Sequence, residues 1–101
     1  MIFIEDAEFA KERPAVLDED GLFELQLWMA ENPDAGDIIR GSNGCRKLRW
    51  AASGRGKRGG ARVIYLYRLS AAIIVLLNIY PKSKKKDLTP REIENLKNRI
   101  K

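Results

Sequence analysis

Hydrophobic and polar residues follow a helical period early in the chain and a strand period from position 46 onward. Residues 1–4 predict a short first strand. Asp6 can cap a short helix that begins near Ala7 and must stop before Pro14, because proline does not fit a helix interior. The chain is therefore predicted to open with a strand followed by a helix.

A stripe of apolar residues at helical spacing predicts a second helix. It starts between Asp18 and Asp20 and ends at Asn32, because Pro33 keeps the residue before it out of the helical conformation. A turn is predicted at residues 34–36. The stripe consists of Leu22, Leu25 and Met29, and we expect Phe23 and Leu27 to widen it.

After position 46 the period changes to two, which predicts a half-buried strand. Leu48 and Trp50 face the core of the domain and alternate with Lys47 and Arg49. The two cations therefore share the opposite face of this strand.

Two further strands are predicted at residues 61–69 and 71–80, and the tight connection between them predicts an antiparallel hairpin. Tyr65 lies in phase with Val63, whereas Arg62 lies on the other face among apolar residues. The second strand of the hairpin is apolar on both faces, which is typical of a central strand.

A last helix is predicted to begin with a capping box formed by Thr89 and Glu92, with Pro90 at the first helical position. The order β-α-α-β-β-β-α predicts a single α+β domain over residues 1–101 with a mainly antiparallel sheet. We expect the two N-terminal helices to cover one face and the other face to remain open as a groove.

The amino-acid composition excludes several kinds of functional site. The 101 residues include no histidine, which excludes histidine-based metal sites and catalytic triads. With one cysteine, Cys45, a disulfide within the chain is impossible, and a reducing, cytoplasmic setting is expected. The longest apolar run, residues 71–77, is too short to span a bilayer, and the acidic N-terminus does not resemble a signal peptide. No cofactor is expected.

Charge is divided unevenly along the chain, although the net charge is only +5. Residues 1–37 contain eleven of the fourteen acidic residues, whereas residues 38–86 contain thirteen Lys or Arg and no Asp or Glu. Such a stretch is costly in self-repulsion and predicts a surface that meets a polyanion. The alternative is a solvated basic face without a partner.

Three groups of residues carry the candidate chemistry on strands. Lys47 and Arg49 can hold a phosphodiester and stabilise the charge that develops as it is cleaved, or form a plain solvent-facing row. Arg62 needs an anion, which is either a substrate or an acid of the N-terminal helices. Tyr80 can stack on a base or move a proton, and Lys82 can neutralise a phosphate, while the lysines after it can be a solvated run.

A glycine-rich segment at residues 54–60 contains the pattern G-x-G-x-x-G. A dinucleotide-binding interpretation fails because a strand, not a helix, follows, and Ile79 rather than an acid stands about twenty residues on. Lys57 and Arg58 in this loop can instead clamp backbone phosphates. A plain mobile loop is the alternative.

Several of these segments together resemble the HigB-type branch of the RelE/ParE toxin superfamily. They are RKLRW at residues 46–50, GKRGGARVIY at residues 56–65 and YPKS at residues 80–83, and the resemblance covers residues 25–89. It implies a RelE-like microbial RNase-type fold and ribosome-dependent cleavage of translated mRNA. The implied reaction is a metal-independent attack of the ribose 2′-hydroxyl on the next phosphate.

The resemblance also implies catalytic and RNA-binding roles for individual residues. By position, Lys47, Arg49, Arg62 and Lys82 match basic site residues of such toxins, and with Tyr80 they form the predicted catalytic set. RelE carries a C-terminal tyrosine that helps proton transfer, but Leu88 stands near that place, so Tyr65 and Tyr80 remain as candidates. If Tyr65 points into the helix-covered core, Tyr80 is left. The predicted RNA-binding residues are Arg46, Lys57, Arg58, Tyr65 and Lys84.

Partners follow from the same resemblance. It implies a cognate antitoxin, expected to be a helix-turn-helix protein from the adjacent gene, as well as the ribosome and mRNA. Operator DNA is expected to be contacted only through the toxin–antitoxin complex, and no membrane is expected. The alternative function is a non-catalytic protein of the same fold, either a gyrase poison or an inactive toxin homologue.

Overall fold

The computed structural model describes residues 1–51, 60–85 and 87–100 of the chain. None of the helices in these ranges is long and apolar enough to cross a membrane. The strands are β1 (Ile2–Glu5), β2 (Asp37–Ile38), β3 (Cys45–Trp50), β4 (Ala61–Arg68) and β5 (Ile73–Pro81), and the helices are α1 (Ala7–Glu12), α2 (Glu19–Glu31) and α3 (Pro90–Arg99).

The strands form one five-stranded sheet in the order β1-β5-β4-β3-β2. β1 pairs with β5 in parallel, and the other three pairings are antiparallel, so the predicted mainly antiparallel α+β arrangement is confirmed. The hairpin of β4 and β5 forms as predicted. β2 was not predicted, because two residues are too few to show a period.

Side-chain caps fix where the helices begin. Asp6 accepts from the backbone N–H of Glu8, and Asp18 accepts from that of Gly21. Thr89 and Glu92 form the complete capping box at the start of α3. Each helix therefore begins where the sequence predicts, because these side chains satisfy N–H groups that have no partner within the helix.

The helices α1 and α2 pack on one face of the sheet. Their apolar residues, including Phe9, Leu25 and Met29, meet the inward side chains of β3, β4 and β5. The expectation that Phe23 and Leu27 extend this buried stripe is wrong, since they are 62% and 56% exposed. They lie roughly 100° or more around the helix axis from Leu22, beyond the side that a flat sheet can cover.

The opposite face of the sheet is partly covered by α3, which corrects the expectation that it remains open. Leu96 of α3 is buried against Ile64, Leu77 and Tyr80. Because β5 is apolar on both faces, its second face also has to leave water, and the amphipathic α3 provides the cover. The part of this face near β3 carries Lys47, among other cations.

β1 stops opposite Leu76, which leaves the outer edge of β5 unpaired beyond that point. The carboxylate of Glu12, the last residue of α1, covers part of this edge. It accepts hydrogen bonds from the backbone N–H of Ile79 at 3.1 Å and from Nδ2 of Asn78 at 2.9 Å. The buried edge of the sheet thus has a side-chain partner where a strand partner ends.

Candidate functional site

Strand register brings the predicted catalytic residues together on the sheet face that α3 partly covers. Arg49 lies directly opposite Arg62, and Arg62 lies directly opposite Tyr80, so the three form one row across β3, β4 and β5. Lys47 lies two residues before Arg49 on the same face of β3. The backbone N–H of Lys82 bonds to Gly60 O at 3.0 Å, which keeps Lys82 beside the start of β4. We refer to Lys47, Arg49, Arg62, Tyr80 and Lys82 as the cationic face.

Three cations of this face have no side-chain partner in the part of the chain that the structure describes. In the ranges 1–51, 60–85 and 87–100, the side chains of Arg49, Arg62 and Lys82 form no hydrogen bond or ion pair. Arg62 is half-buried and is not paired with an acid of the N-terminal helices, which lie on the other side of the sheet. Like charges directly opposite one another destabilise a strand pair, so the arrangement favours an external anion.

Tyr80 is only 3% exposed, and its hydroxyl is buried without a hydrogen-bond partner among the described residues. Burial raises the pKa of this phenol, and the nearby Arg62 guanidinium opposes that rise in pKa. The Nζ of Lys85 lies 4.8 Å from the centre of the ring. Because the phenol stays protonated at neutral pH, Tyr80 is suited to donate a proton or a hydrogen bond.

Two lysines near the row are held by carboxylates. Lys47 Nζ lies 3.1 Å from Asp87 Oδ1, and Lys85 Nζ lies 2.5 Å from Glu92 Oε2. The hydrogen bond from Lys85 lowers the pKa of Glu92, so this carboxyl group is ionised at neutral pH. Sequence reasoning missed Lys85 and both acids as members of the site. A usable signal was that Asp87 ends the acid-free stretch.

A cavity of about 200 Å³ adjoins Tyr80 between the sheet and α3. Its lining includes Lys84, Lys85, Glu92 and Arg99, so charges of both signs surround it. Lys84 itself is exposed in the turn after β5, where its backbone N–H bonds to Pro81 O at 3.0 Å. Lys84 therefore lies next to the cationic face, as an RNA-binding role requires.

The structure does not place Arg46 and Tyr65 with the cationic face. Arg46 lies on the alternate face of β3 and donates to the carbonyl oxygens of Asp34 at 3.0 Å and Gly36 at 2.7 Å. It holds the turn that follows α2, which is a structural role. Strand alternation explains this placement, since Arg46 is one residue out of phase with Lys47.

Tyr65 is fully buried beneath the N-terminal helices. Its hydroxyl donates to Pro33 O and accepts from Gly36 N–H, both at 2.9 Å. Burial raises the pKa of this phenol. A side chain buried in this way is not accessible to RNA. Of the two tyrosine candidates for proton transfer, Tyr80 is therefore the one that remains.

Lys57 and Arg58, which the sequence predicts to bind phosphates, lie outside the described residues. In the part of the chain that the structure describes, no group of three or more His, Cys, Asp or Glu side chains is arranged to hold a metal ion.

A protein-family model and a solved structure both match this chain. Residues 29–101 match the family model described as the RelE toxin of the RelE/RelB toxin–antitoxin system. Among solved structures, a mutant of the E. coli toxin RelE in the free state, with two arginines replaced by alanine, matches with a TM-score of 0.60 at 16% sequence identity. The match covers 98% of this chain and 95% of that chain. At this identity the likeness establishes the fold.

Proposed function

Because this chain belongs to the RelE toxin family, whose members are ribosome-dependent endoribonucleases, we propose that the cationic face is where it binds and cuts mRNA. As a member of a RelE/RelB-type system, the toxin has a cognate antitoxin as its partner. The sequence-based alternative of a non-catalytic protein is not retained. The observation that carries the proposal is the row of Arg49, Arg62 and Tyr80, in which two adjacent cations stand next to a phenol and none of the three side chains has a hydrogen-bond partner among the described residues.

The proposed reaction is an attack of a ribose 2′-hydroxyl on the adjacent phosphorus. A bond forms between O2′ and phosphorus, and the bond from phosphorus to the 5′-oxygen of the next nucleotide breaks. Arg49 and Arg62 stabilise the extra charge on the phosphate oxygens. Tyr80 donates its proton to the departing 5′-oxygen, and water takes up the proton of the 2′-hydroxyl and returns one to Tyr80.

The remaining assignments extend the family membership. We assign Lys47, Lys82 and Lys84 to neighbouring phosphates, because each lies beside the row. The segments quoted above support the HigB-type branch, a helix-turn-helix antitoxin from an adjacent gene, and contact with operator DNA only in complex with that antitoxin. The ribosome as a partner and a cytoplasmic site of action follow from cleavage of translated mRNA.

Induced expression in bacterial cells tests the proposal. The wild-type chain should arrest growth, and primer extension should show new 5′ ends within translated mRNA. The double variant Arg49→Ala/Arg62→Ala should grow normally, with cleavage reduced about 100-fold or more, because two charge-stabilising groups are lost. Lys11→Ala, an exposed change on α1 across the sheet, is the control. Full toxicity of the double variant would contradict the assigned site.

A further inference from the structure

Two carboxylates, one just before α3 and one in its first turn, pair with lysines at or beside the cationic face. Asp87 is paired with Lys47, and Glu92 is paired with Lys85. Lys47 belongs to the cationic face, and Lys85 lies over the ring of Tyr80. Each of these lysines is therefore held by a carboxylate in the free protein.

We propose that Asp87 and Glu92 compete with RNA phosphates for Lys47 and Lys85, so that the two acids set how tightly the toxin holds RNA. In the free toxin they neutralise the two lysines, and bound RNA displaces them. This inference rests on the proposed function, because it takes the cationic face as the RNA site.

Glu92 is well placed for this role because its position does not depend on Lys85. Its Oε1 accepts from the backbone N–H of Thr89 at 2.8 Å, and its own N–H donates to Thr89 Oγ1 at 3.2 Å. The capping box thus holds the carboxylate at the start of α3. The side chains of Lys85 and Glu92 are 32% and 38% exposed, so solvent and RNA can reach the pair.

The position of Lys85 links this competition to Tyr80. While Glu92 holds Lys85, the ammonium group lies over the phenol ring and the hydroxyl of Tyr80 is buried. When a phosphate draws Lys85 away from Glu92, one covering group leaves the ring. RNA binding thereby opens access to the phenol that is proposed to donate to it.

The test measures RNA binding directly. The probe is a fluorescently labelled single-stranded RNA whose riboses are 2′-O-methylated, so that it cannot be cleaved, and the readout is fluorescence anisotropy. Glu92→Gln removes the charge but keeps a side chain that can complete the capping box. Asp87→Asn removes the other competitor. Each variant should bind the probe about two- to five-fold more tightly than the wild type, the range expected for the loss of a solvent-exposed ion pair.

Two controls separate this effect from others. Glu94→Gln makes the same charge change on the same helix, but Glu94 pairs with Lys97 at 3.6 Å, away from the cationic face. Thr89→Ala weakens the helix cap while leaving the carboxylate of Glu92 in place. Neither control should tighten binding, and the gain in Glu92→Gln should shrink as salt rises, because salt screens the competing charges.

The possible results distinguish failure of the proposed competition from failure of the proposed RNA site. If the wild type binds the probe and Glu92→Gln and Asp87→Asn do not bind more tightly, the competition is wrong while the RNA site stands. If Glu94→Gln gains as much as Glu92→Gln, the effect is one of net charge and the inference is again wrong. If neither the wild type nor any variant binds, the proposed RNA face itself fails, and the inference fails with it.

Discussion

Tyr65 and Tyr80 are both buried, but only Tyr65 has hydrogen-bond partners for its hydroxyl among the described residues. Tyr65 connects the turn after α2 to the sheet, so its hydroxyl contributes to folding. The hydroxyl of Tyr80 has no such bond within residues 1–51, 60–85 and 87–100, and leaving a polar group unpaired in the interior costs free energy. A group that is kept at a cost to stability is typical of a functional site.

Tyr65→Phe should lower the free energy of unfolding by about 1–3 kcal/mol, because the change leaves the N–H of Gly36 without its partner in the protein interior. Urea denaturation monitored by circular dichroism measures this value. Tyr67→Phe, at a partly buried tyrosine two residues along the same strand, is the control and should change it by less. An unfolding midpoint for Tyr65→Phe equal to that of the wild type would contradict the structural role.

Tyr80→Phe should behave in the opposite way. The free energy of unfolding should stay the same or rise, since the change removes an unpaired buried hydroxyl. Cleavage of mRNA on ribosomes should fall about 10-fold or more, because the proton donor to the departing 5′-oxygen is lost. Single-turnover cleavage assays and urea denaturation of the same preparation give both values.

The pH dependence of the wild type follows from the raised pKa of Tyr80. The protonated phenol is the donor, so its contribution to the rate is present at neutral pH and is lost only as the pH rises through this raised pKa. The wild-type advantage over Tyr80→Phe should therefore persist into mildly alkaline solution. A loss of that advantage between neutral and mildly alkaline pH would contradict the raised pKa of Tyr80, and an advantage that grows with pH would show that the phenolate is the active form.

At the scale of elements, β1 stops short of the end of β5. Beyond that point, side chains form the hydrogen bonds at the edge of β5 that a neighbouring strand would otherwise form. Glu12 covers the unpaired edge of β5 from one side. From the other side Arg99, at the end of α3, donates to Asn78 Oδ1 at 2.8 Å and to Asp6 Oδ2 at 2.7 Å. Asp6 also caps α1, so α1, α3 and β5 are joined through one set of hydrogen bonds.

Glu12→Ala should lower the free energy of unfolding by about 1.5–3 kcal/mol, because hydrogen bonds to a charged acceptor are stronger than neutral ones and the N–H of Ile79 loses its partner. Thermal or urea denaturation measures the loss. Glu31→Ala, which removes an exposed acid at the end of α2, is the matched control and should have little effect. Equal stability of the two variants would show that the edge of β5 is satisfied in another way.

Local signals predicted most of the elements. The caps Asp6, Asp18 and Thr89 and the prolines predicted the helix boundaries. The period of two predicted β3 and β4, and a run that is apolar on both faces predicted β5. The parallel pairing of β1 and the placement of α3 on the second face were not predicted. Both depend on contacts between distant parts of the chain, which no local period records.

The same limit applies to the site. The identity of Arg49, Arg62 and Tyr80 as candidates came from residue type and from family resemblance. Their alignment in one row came from register, which is set by the pairing of whole strands. The pairing of Asp87 with Lys47 joins positions forty residues apart, so neither spacing nor charge pattern could assign it.

At the scale of the whole molecule, charge is separated between the two sides of the sheet. The acid-rich N-terminal helices lie on one side, and the cationic face lies on the other. A partner that neutralises the toxin by covering the cationic face needs negative charge there. Electrostatic attraction then supplies much of the association rate and of the discrimination against other partners.

Binding of the cognate antitoxin should therefore weaken steeply as salt concentration rises, because the attraction between opposite charges is screened. Isothermal titration calorimetry at several salt concentrations measures the dependence. The double variant Arg49→Ala/Arg62→Ala should show a flatter dependence than the wild type. Binding that does not respond to salt would point instead to an apolar contact, such as the exposed Phe23 and Leu27 of α2.

The parallel pairing of the first strand with the last also affects when the toxin can act. Ile2 lies beside Ile73 in the sheet, and the row of Arg49, Arg62 and Tyr80 needs β5 to be in place. A growing polypeptide cannot complete either until β5 has emerged from the ribosome that makes it. A newly started chain is thus harmless while β5 is still inside the ribosome that makes it, and the message is read past the codons of β5 before the product is able to cut.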